Sequence, residues 1–328
     1  MLLLTLASLG ATVLASCECG YKTDENDVWQ FSITTDFTSP SINSTSGFSA
    51  NWQVTEAVQG DIADSSPYQR NYTTANVQLP HIGSSALTLL ASAYTGPSGG
   101  AVQSGQITTI RSDILYGSFR STFMVTGGSG ACAGFFSYAD DENENDIEVL
   151  TDEGTRQVHF STQPIDSSGA TVTMDLPDNA VTTSLQSYRF DWKSNAVTYF
   201  VNGELMSNIT RHPSTEASQI IMNAWSNGGA FTGGPPTRDM MLSVKSITLY
   251  FNTSVASTVG AYERKCAAAG GKAVCSVDPV RSTDQSLSTT AGLVVSSTGA
   301  QATGLATRTA SLSGLALFMA FMTVALSA

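Results

Sequence analysis

The chain has 328 residues, a formal net charge of −12 and a pI near 4.5, with only 13% charged residues. That acidity excludes the basic patches on which nucleic-acid binding rests. Few charges and frequent Ser, Thr and Gly fit a secreted β-rich protein better than a helical cytosolic one.

Residues 1–15 read as a signal peptide, an apolar run from Leu2 to Leu14 ending at the small residues Ala15 and Ser16. Residues 22–60 carry Trp29, Phe31, Phe37, Phe48 and Trp52 at irregular spacing, an extended entry with one or two strands. Residues 61–83 read as loop, with Pro67, Pro80 and Gly83. Strand-forming runs follow at 86–91, 107–111, 116–125 and 132–138, with Phe119, Phe123 and Val125 sharing one face. Beyond the acidic stretch at 138–153 come runs at 157–162, 188–192, 197–201, 220–225 and 241–251. Arg189 and Asp191 alternate with Tyr188, Phe190 and Trp192, which places them at a surface or an edge. Asn202-Gly203 makes a two-residue hairpin turn. No helical periodicity stands out inside the globule. Many short strands with close turn signals predict an all-β sandwich or barrel over 16–281. Residues 282–311 are too poor in large apolar side chains to bury a core and read as a stalk. The tail, 312–328, is shorter than the ~20 apolar residues of a membrane span. Small residues, a polar spacer and then this tail give the order of a glycosylphosphatidylinositol (GPI) attachment signal, so a membrane anchor at the cell surface is expected.

The stretch Tyr138 to Glu153 carries the chemistry. Glu144, Asp146 and Glu148 alternate with Asn145 and Ile147, so a strand puts three carboxyls on one face. Stability alone disfavours such a row. Crowding raises at least one pKa, which leaves a protonated carboxyl beside an ionised one, the pair that cleaves glycosidic bonds. A solvated acidic loop is the plain alternative, opposed by the apolar flanks at 131–138 and 149–150. An EF-hand is excluded because Asp146 stands where its glycine is needed. His81, His159 and His212 show no metal spacing, and neither a phosphate-binding loop nor a Gly-x-Ser-x-Gly elbow is present, so no metal or cofactor is expected.

Glu144-Asn145-Asp146-Ile147-Glu148 resembles the Glu-x-Asp-x-Glu signature of glycoside hydrolase family 16. Two further segments are similar to that family, Tyr116-Gly117-Ser118-Phe119 and the run from Tyr188 through Val201-Asn202-Gly203. Asn145 departs from it, standing where the family usually has an aliphatic residue. The resemblance implies a concanavalin-like jelly-roll β-sandwich and a retaining endo-β-glucan hydrolase. It implies Glu144 as nucleophile, Asp146 as its electrostatic helper and Glu148 as acid/base. It also implies that Trp225, in an Asn-x-Trp segment, borders the cleaved sugar. A transglycosylase of the same fold and a non-catalytic lectin-like sandwich are the alternatives. Tyr138, Phe136 and His159 are further candidates for sugar contact, and Phe135 and Phe136 point to opposite faces, so at most one lines a cleft. The expected partner is β-glucan, and the expected state a monomer.

Five cysteines in a secreted chain should mostly be oxidised. Cys266 and Cys275 bracket a short Gly-containing loop and are expected to pair. Cys132 is expected to pair with Cys19 or Cys17. Asn43, Asn71, Asn208 and Asn252 open glycosylation sequons.

Overall fold

The computed structural model describes residues 17–278 except 40–41, 43–44, 64, 81–85 and 167–169. The expected signal peptide, stalk and tail, and Asn43 and His81, lie outside the described residues. In chain order the strands are β1 (Tyr21–Lys22), β2 (Val28–Trp29), β3 (Phe31–Asp36), β4 (Trp52–Val54), β5 (Ala57–Gln59), β6 (Gln69–Tyr72) and β7 (Val77–Gln78). They continue as β8 (Leu87–Ala91), β9 (Ala101–Thr109), β10 (Ile114–Gly127), β11 (Cys132–Asp140), β12 (Asn143–Leu150), β13 (Gln157–Thr162) and β14 (Thr171–Asp175). The last are β15 (Gln186–Lys193), β16 (Ala196–Val201), β17 (Glu204–Ile209), β18 (Gln219–Trp225), β19 (Met240–Thr253) and β20 (Cys275–Ser276).

Two layers result. The inner layer runs β4-β9-β18-β11-β12-β13-β14, every neighbouring pair antiparallel. The outer layer runs β19-β10-β15-β16-β17, with β3 and β8 end to end along the free edge of β19. Pairing of β9 with β6 and β8 joins the layers, so the sheet curls on itself as a jelly-roll sandwich. The alternation read from the sequence fixes which side chains lie between the layers. Phe119, Phe123, Tyr188, Phe190 and Trp192 come from the outer layer and Phe135, Ile147, Phe160 and Met222 from the inner one. Phe123 stacks on Tyr188 at 4.0 Å and Phe119 on Phe190 at 4.9 Å, and burying aromatics of this size drives the layers together. Asn202 (φ 52°) and Gly203 (φ 79°) make the expected β16–β17 turn.

Four expectations are corrected. First, besides a single helical turn, α1 (Thr45–Phe48), a 13-residue helix, α2 (Ala256–Ala268), lies between β19 and β20. It buries no residue, so it never needed the apolar stripe by which a helix is recognised. Second, Cys266 and Cys275 do not pair with each other: the disulfides are Cys17–Cys275 and Cys19–Cys266. Helix α2 holds Cys266 beside Cys19, while β20 runs parallel to β1 and brings Cys275 to Cys17. Third, Cys132 is a buried free thiol. It points to the open face of the inner layer, whereas the N-terminal segment covers the outer one, so the sandwich separates them. Fourth, Arg189 and Asp191 are buried, not surface residues. Residues 21–30 and Asp278 lie across the outer layer, and Arg189 bonds Asp191 at 2.5 Å and Asp24 at 2.7 Å. Arg120 closes this cluster on Asp278 at 2.5 Å.

Of the sequons, Asn208 is exposed and accepts from the Thr198 hydroxyl. Asn71 and Asn252 are half-buried, Asn71 donating to Gln103 and Asn252 accepting from the Gln30 amide.

Candidate active site

The hairpin β11–β12 sets the register of the site. Asp140 accepts from the Glu142 amide and the Asn143 side chain, which fixes the turn. From there Tyr138 pairs with Glu144, Phe136 with Asp146 and Gly134 with Glu148. Across the other ladder Asp146 faces Ser161 and Glu148 faces His159. On the far side of β11, Asn223 stands opposite Gly134 and Trp225 opposite Cys132. The open face of the inner layer therefore carries transverse rows, one of which reads Gln106, Asn223, Gly134, Glu148, His159, Thr173.

The three expected carboxyls do share this face. Glu144 and Asp146 are each 3% exposed, and Glu148 keeps an opening to solvent. Ser161 donates to Asp146 Oδ2 at 2.8 Å, and the Ser161 carbonyl is held by the Tyr199 hydroxyl from the outer layer. Asn145 points between the layers, where Ser137 accepts from its amide at 2.8 Å, so a buried polar group is satisfied where an aliphatic one was expected.

Burial raises all three pKa values. Burial and the charge of Asp146 push Glu144 well above the usual carboxyl range. Burial also raises Asp146, but hydrogen bonds from Ser161, Glu144 and Gln163 hold it to about 6. Burial and Asp146 push Glu148 up to about 8, with a hydrogen bond from Cys132 opposing them. Among the described residues no cation forms an ion pair with any of the three. At neutral pH the row therefore holds protons as well as charge, with Glu144 and Asp146 sharing a proton as a coupled pair.

The sugar-contact candidates divide. Phe136 lies on the open face and Phe135 in the core, and Tyr138 is half-buried with its hydroxyl on Asp141 at 3.0 Å. His159 sits beside Glu148, held by Glu153 at 2.5 Å and Thr173 at 3.0 Å. Trp225 is on the right face but only 4% exposed. Phe231 stacks against it at 6.1 Å and the Arg70 guanidinium lies over it at 5.2 Å. The aromatic open to a ligand is Phe231, which also meets His159 edge-on.

Sequence reasoning missed Phe231, Arg70, Tyr72, Gln106 and Asn223. Asn223 was within reach, since it stands two residues before Trp225 and so shares its face. Its amide reaches Gln106 at 3.3 Å and Tyr72 at 3.4 Å, while its Oδ1 is buried without a partner. A Cβ on Gly134 would come within 2.6 Å of that oxygen, so the glycine keeps the floor open there. Arg70 and Tyr72 were illegible, because a stretch that read as loop runs parallel to β9 as β6.

The open face of the inner layer thus presents three carboxyls in a row, an arrangement whose chemistry suits glycosidic bonds. The sequence profile of Glycosyl hydrolases family 16 matches residues 64–240, more than half of the chain, and the chain belongs to that family. It is 29% identical over 147 residues to the Endo-1,3-1,4-beta-glycanase ExoK of Rhizobium meliloti (strain 1021), covering 41% of this chain and 54% of that protein. It is 30% identical over 122 residues to a beta-glucanase of Brevibacillus brevis, covering 35% and 46%. The chain thus spans about half the length of the curated relatives it matches. Among solved structures, the Bacillus licheniformis beta-glucanase superposes with a TM-score of 0.52 at 20% identity over 67% of this chain and 98% of that one. The endo-1,3-beta-glucanase (laminarinase) catalytic domain of Thermotoga petrophila does so with 0.52 at 16% over 69% and 99%. These likenesses establish the jelly-roll fold.

Proposed function

We propose that the protein is a retaining endo-β-glucan hydrolase acting on β-1,3- or mixed β-1,3/1,4-glucan of a cell wall. The observation that carries this reading is the row Glu144, Asp146, Glu148 on the open face, buried and without a compensating cation. Glu148, protonated near neutral pH, gives its proton to the glycosidic oxygen. Glu144 attacks the anomeric carbon from the other side, after Asp146 takes over the shared proton and donates it as a hydrogen bond. The glycosyl-enzyme then breaks down when Glu148 deprotonates an incoming water. Retention needs carboxyls about 5–5.5 Å apart. Strand positions four residues apart are ~13 Å apart at Cα, so retention requires the two Glu arms to turn toward each other over Asp146 when the sugar is bound.

The sequence at the two ends supports a cell-surface setting: a signal peptide at 1–15, and a stalk and attachment signal at 282–328 that exchange the tail for a glycolipid. The deciding experiment is digestion of a panel of β-glucans with product sizing. Shorter products alone mark hydrolysis, and products longer than the substrate mark transfer to another sugar chain. Binding without any cleavage would replace both with the lectin-like reading.

A further inference from the structure

The Cys132 thiol has no covalent partner, and its Sγ lies 3.4 Å from Glu148 Oε1 as a hydrogen-bond donor. It is fully buried, packed with Tyr72, Leu150 and Trp225 at the end of the carboxyl row. We propose that Cys132 is a positioning residue for Glu148: by donating to Oε1, the thiol leaves Oε2 as the oxygen that carries and delivers the proton. This rests on the acid/base role proposed for Glu148.

A carboxylic acid has two oxygens, and only a proton on the one facing the substrate is useful. Gly134, directly across the ladder from Glu148, offers no side chain to choose between them. On the other strand His159 is turned into its own bonds with Glu153 and Thr173. The remaining titratable groups around Glu148 are Asp146 and Glu144 on its own strand and, near Cys132, Tyr72 and Glu153. Arg70 is engaged over Trp225. Among the described residues only the thiol donates from a side chain to a named oxygen of Glu148. Burial and the neighbouring carboxyls keep that thiol protonated, so it donates throughout the working pH range. In the first step the Oε2 proton passes to the leaving oxygen as its bond to the anomeric carbon breaks and Glu144 bonds that carbon. The thiol then donates to the Glu148 carboxylate left behind. In the second step water gives a proton to Oε2 as its oxygen bonds the anomeric carbon and the bond from that carbon to Glu144 breaks.

The test uses the full chain. Cys132 is its one thiol, since four of the five cysteines form disulfides, so the S–H stretch in a Raman spectrum belongs to one residue. That band should shift as Glu148 ionises around pH 8 and stay fixed across the same range in Glu148→Gln. Cys132→Val removes the donor at similar volume, and the basic limb of kcat/KM should move up by about half a pH unit or more while kcat falls several-fold. Cys132→Ser keeps a donor and strengthens it, and the limb should move the other way with kcat largely retained. A packing role alone gives no such opposed shifts. An S–H band indifferent to Glu148, or an unchanged basic limb in both variants, overturns the proposal. A wild-type protein that cleaves no β-glucan would instead overturn the proposed function, while the S–H titration still decides the contact.

Discussion

Two groups of buried charge sit on opposite sides of the sandwich. On the outer layer, Arg189 and Arg120 face Asp24, Asp191 and Asp278, and every carboxylate has a guanidinium at hydrogen-bond distance. On the inner layer, Glu144, Asp146 and Glu148 have each other and no cation. The chemistry of the side chains is similar, yet the Asp278 carboxyl moves in the opposite direction to the inner three. Burial alone would raise Asp278, but the hydrogen bonds and charge of Arg120 outweigh it and hold the carboxyl below its usual range. Pairing makes the outer group a fastener. Leaving the inner group unpaired keeps protons in place at neutral pH, which is what proton transfer to a sugar oxygen needs.

Breaking the inner group should cost activity and not stability. Glu144→Gln should lower turnover of β-glucan by roughly 10^4-fold or more, as loss of a nucleophile does. Its melting temperature should match or exceed that of the wild type, because a crowded acid becomes a neutral amide. Glu148→Gln should lose about 10²–10⁴-fold on polysaccharide. It should keep forming the glycosyl-enzyme from an aryl glycoside that needs no protonation, with azide restoring turnover. Wild-type activity of Glu148→Gln on polysaccharide would end its assignment as acid/base.

Breaking the outer group should do the reverse. Arg189→Met strands Asp191 and Asp24 and should destabilise the fold by roughly 3 kcal/mol in denaturant titration, with activity per folded molecule kept. A gentler change in the inner group, Asp146→Asn, should slow turnover only about tenfold, because Asp146 tunes its neighbours without bonding to the sugar. The smallest effect, and the one that sets the groups side by side, is the pH dependence of stability. Glu148 rises from its ordinary 4.5 to about 8, so its contribution is complete below 4.5 and is lost as pH climbs toward 8. Asp278 is lowered below 3.8, so its contribution is present above that value and is lost as pH falls through its folded pKa. Denaturant unfolding from pH 3 to 9 should show both slopes, and Glu148→Gln should flatten only the upper one.

The inner group was legible in the sequence because strand alternation is a local property. Glu144, Asp146 and Glu148 needed only their own spacing to be placed on one face, and Phe119, Phe123 and Tyr188 likewise announced the core. The outer group was not, although Arg189 and Asp191 lie in an equally clear alternation. Their burial depends on residues 21–30 and Asp278 crossing the outer layer, over 160 positions away for Asp24. The disulfides failed for the same reason. Cys266 and Cys275 are close in number, but α2 and β20 send them to different partners at the other end of the chain. Trp225 was named through the resemblance, while its cover by Phe231 and Arg70 arises from two segments that no local pattern connects.

The two disulfides join positions 258 and 247 residues apart, so nearly the whole described chain is closed into a loop at one corner. A pull applied beyond Asp278 meets the Arg120–Asp278 pair and then the Cys17–Cys275 bridge. Covalent sulfur bonds carry that tension, and the ladders of the two sheets lie inside the closed loop, outside the line of force. The open face of the inner layer keeps its shape under a load that would peel an open sandwich strand by strand.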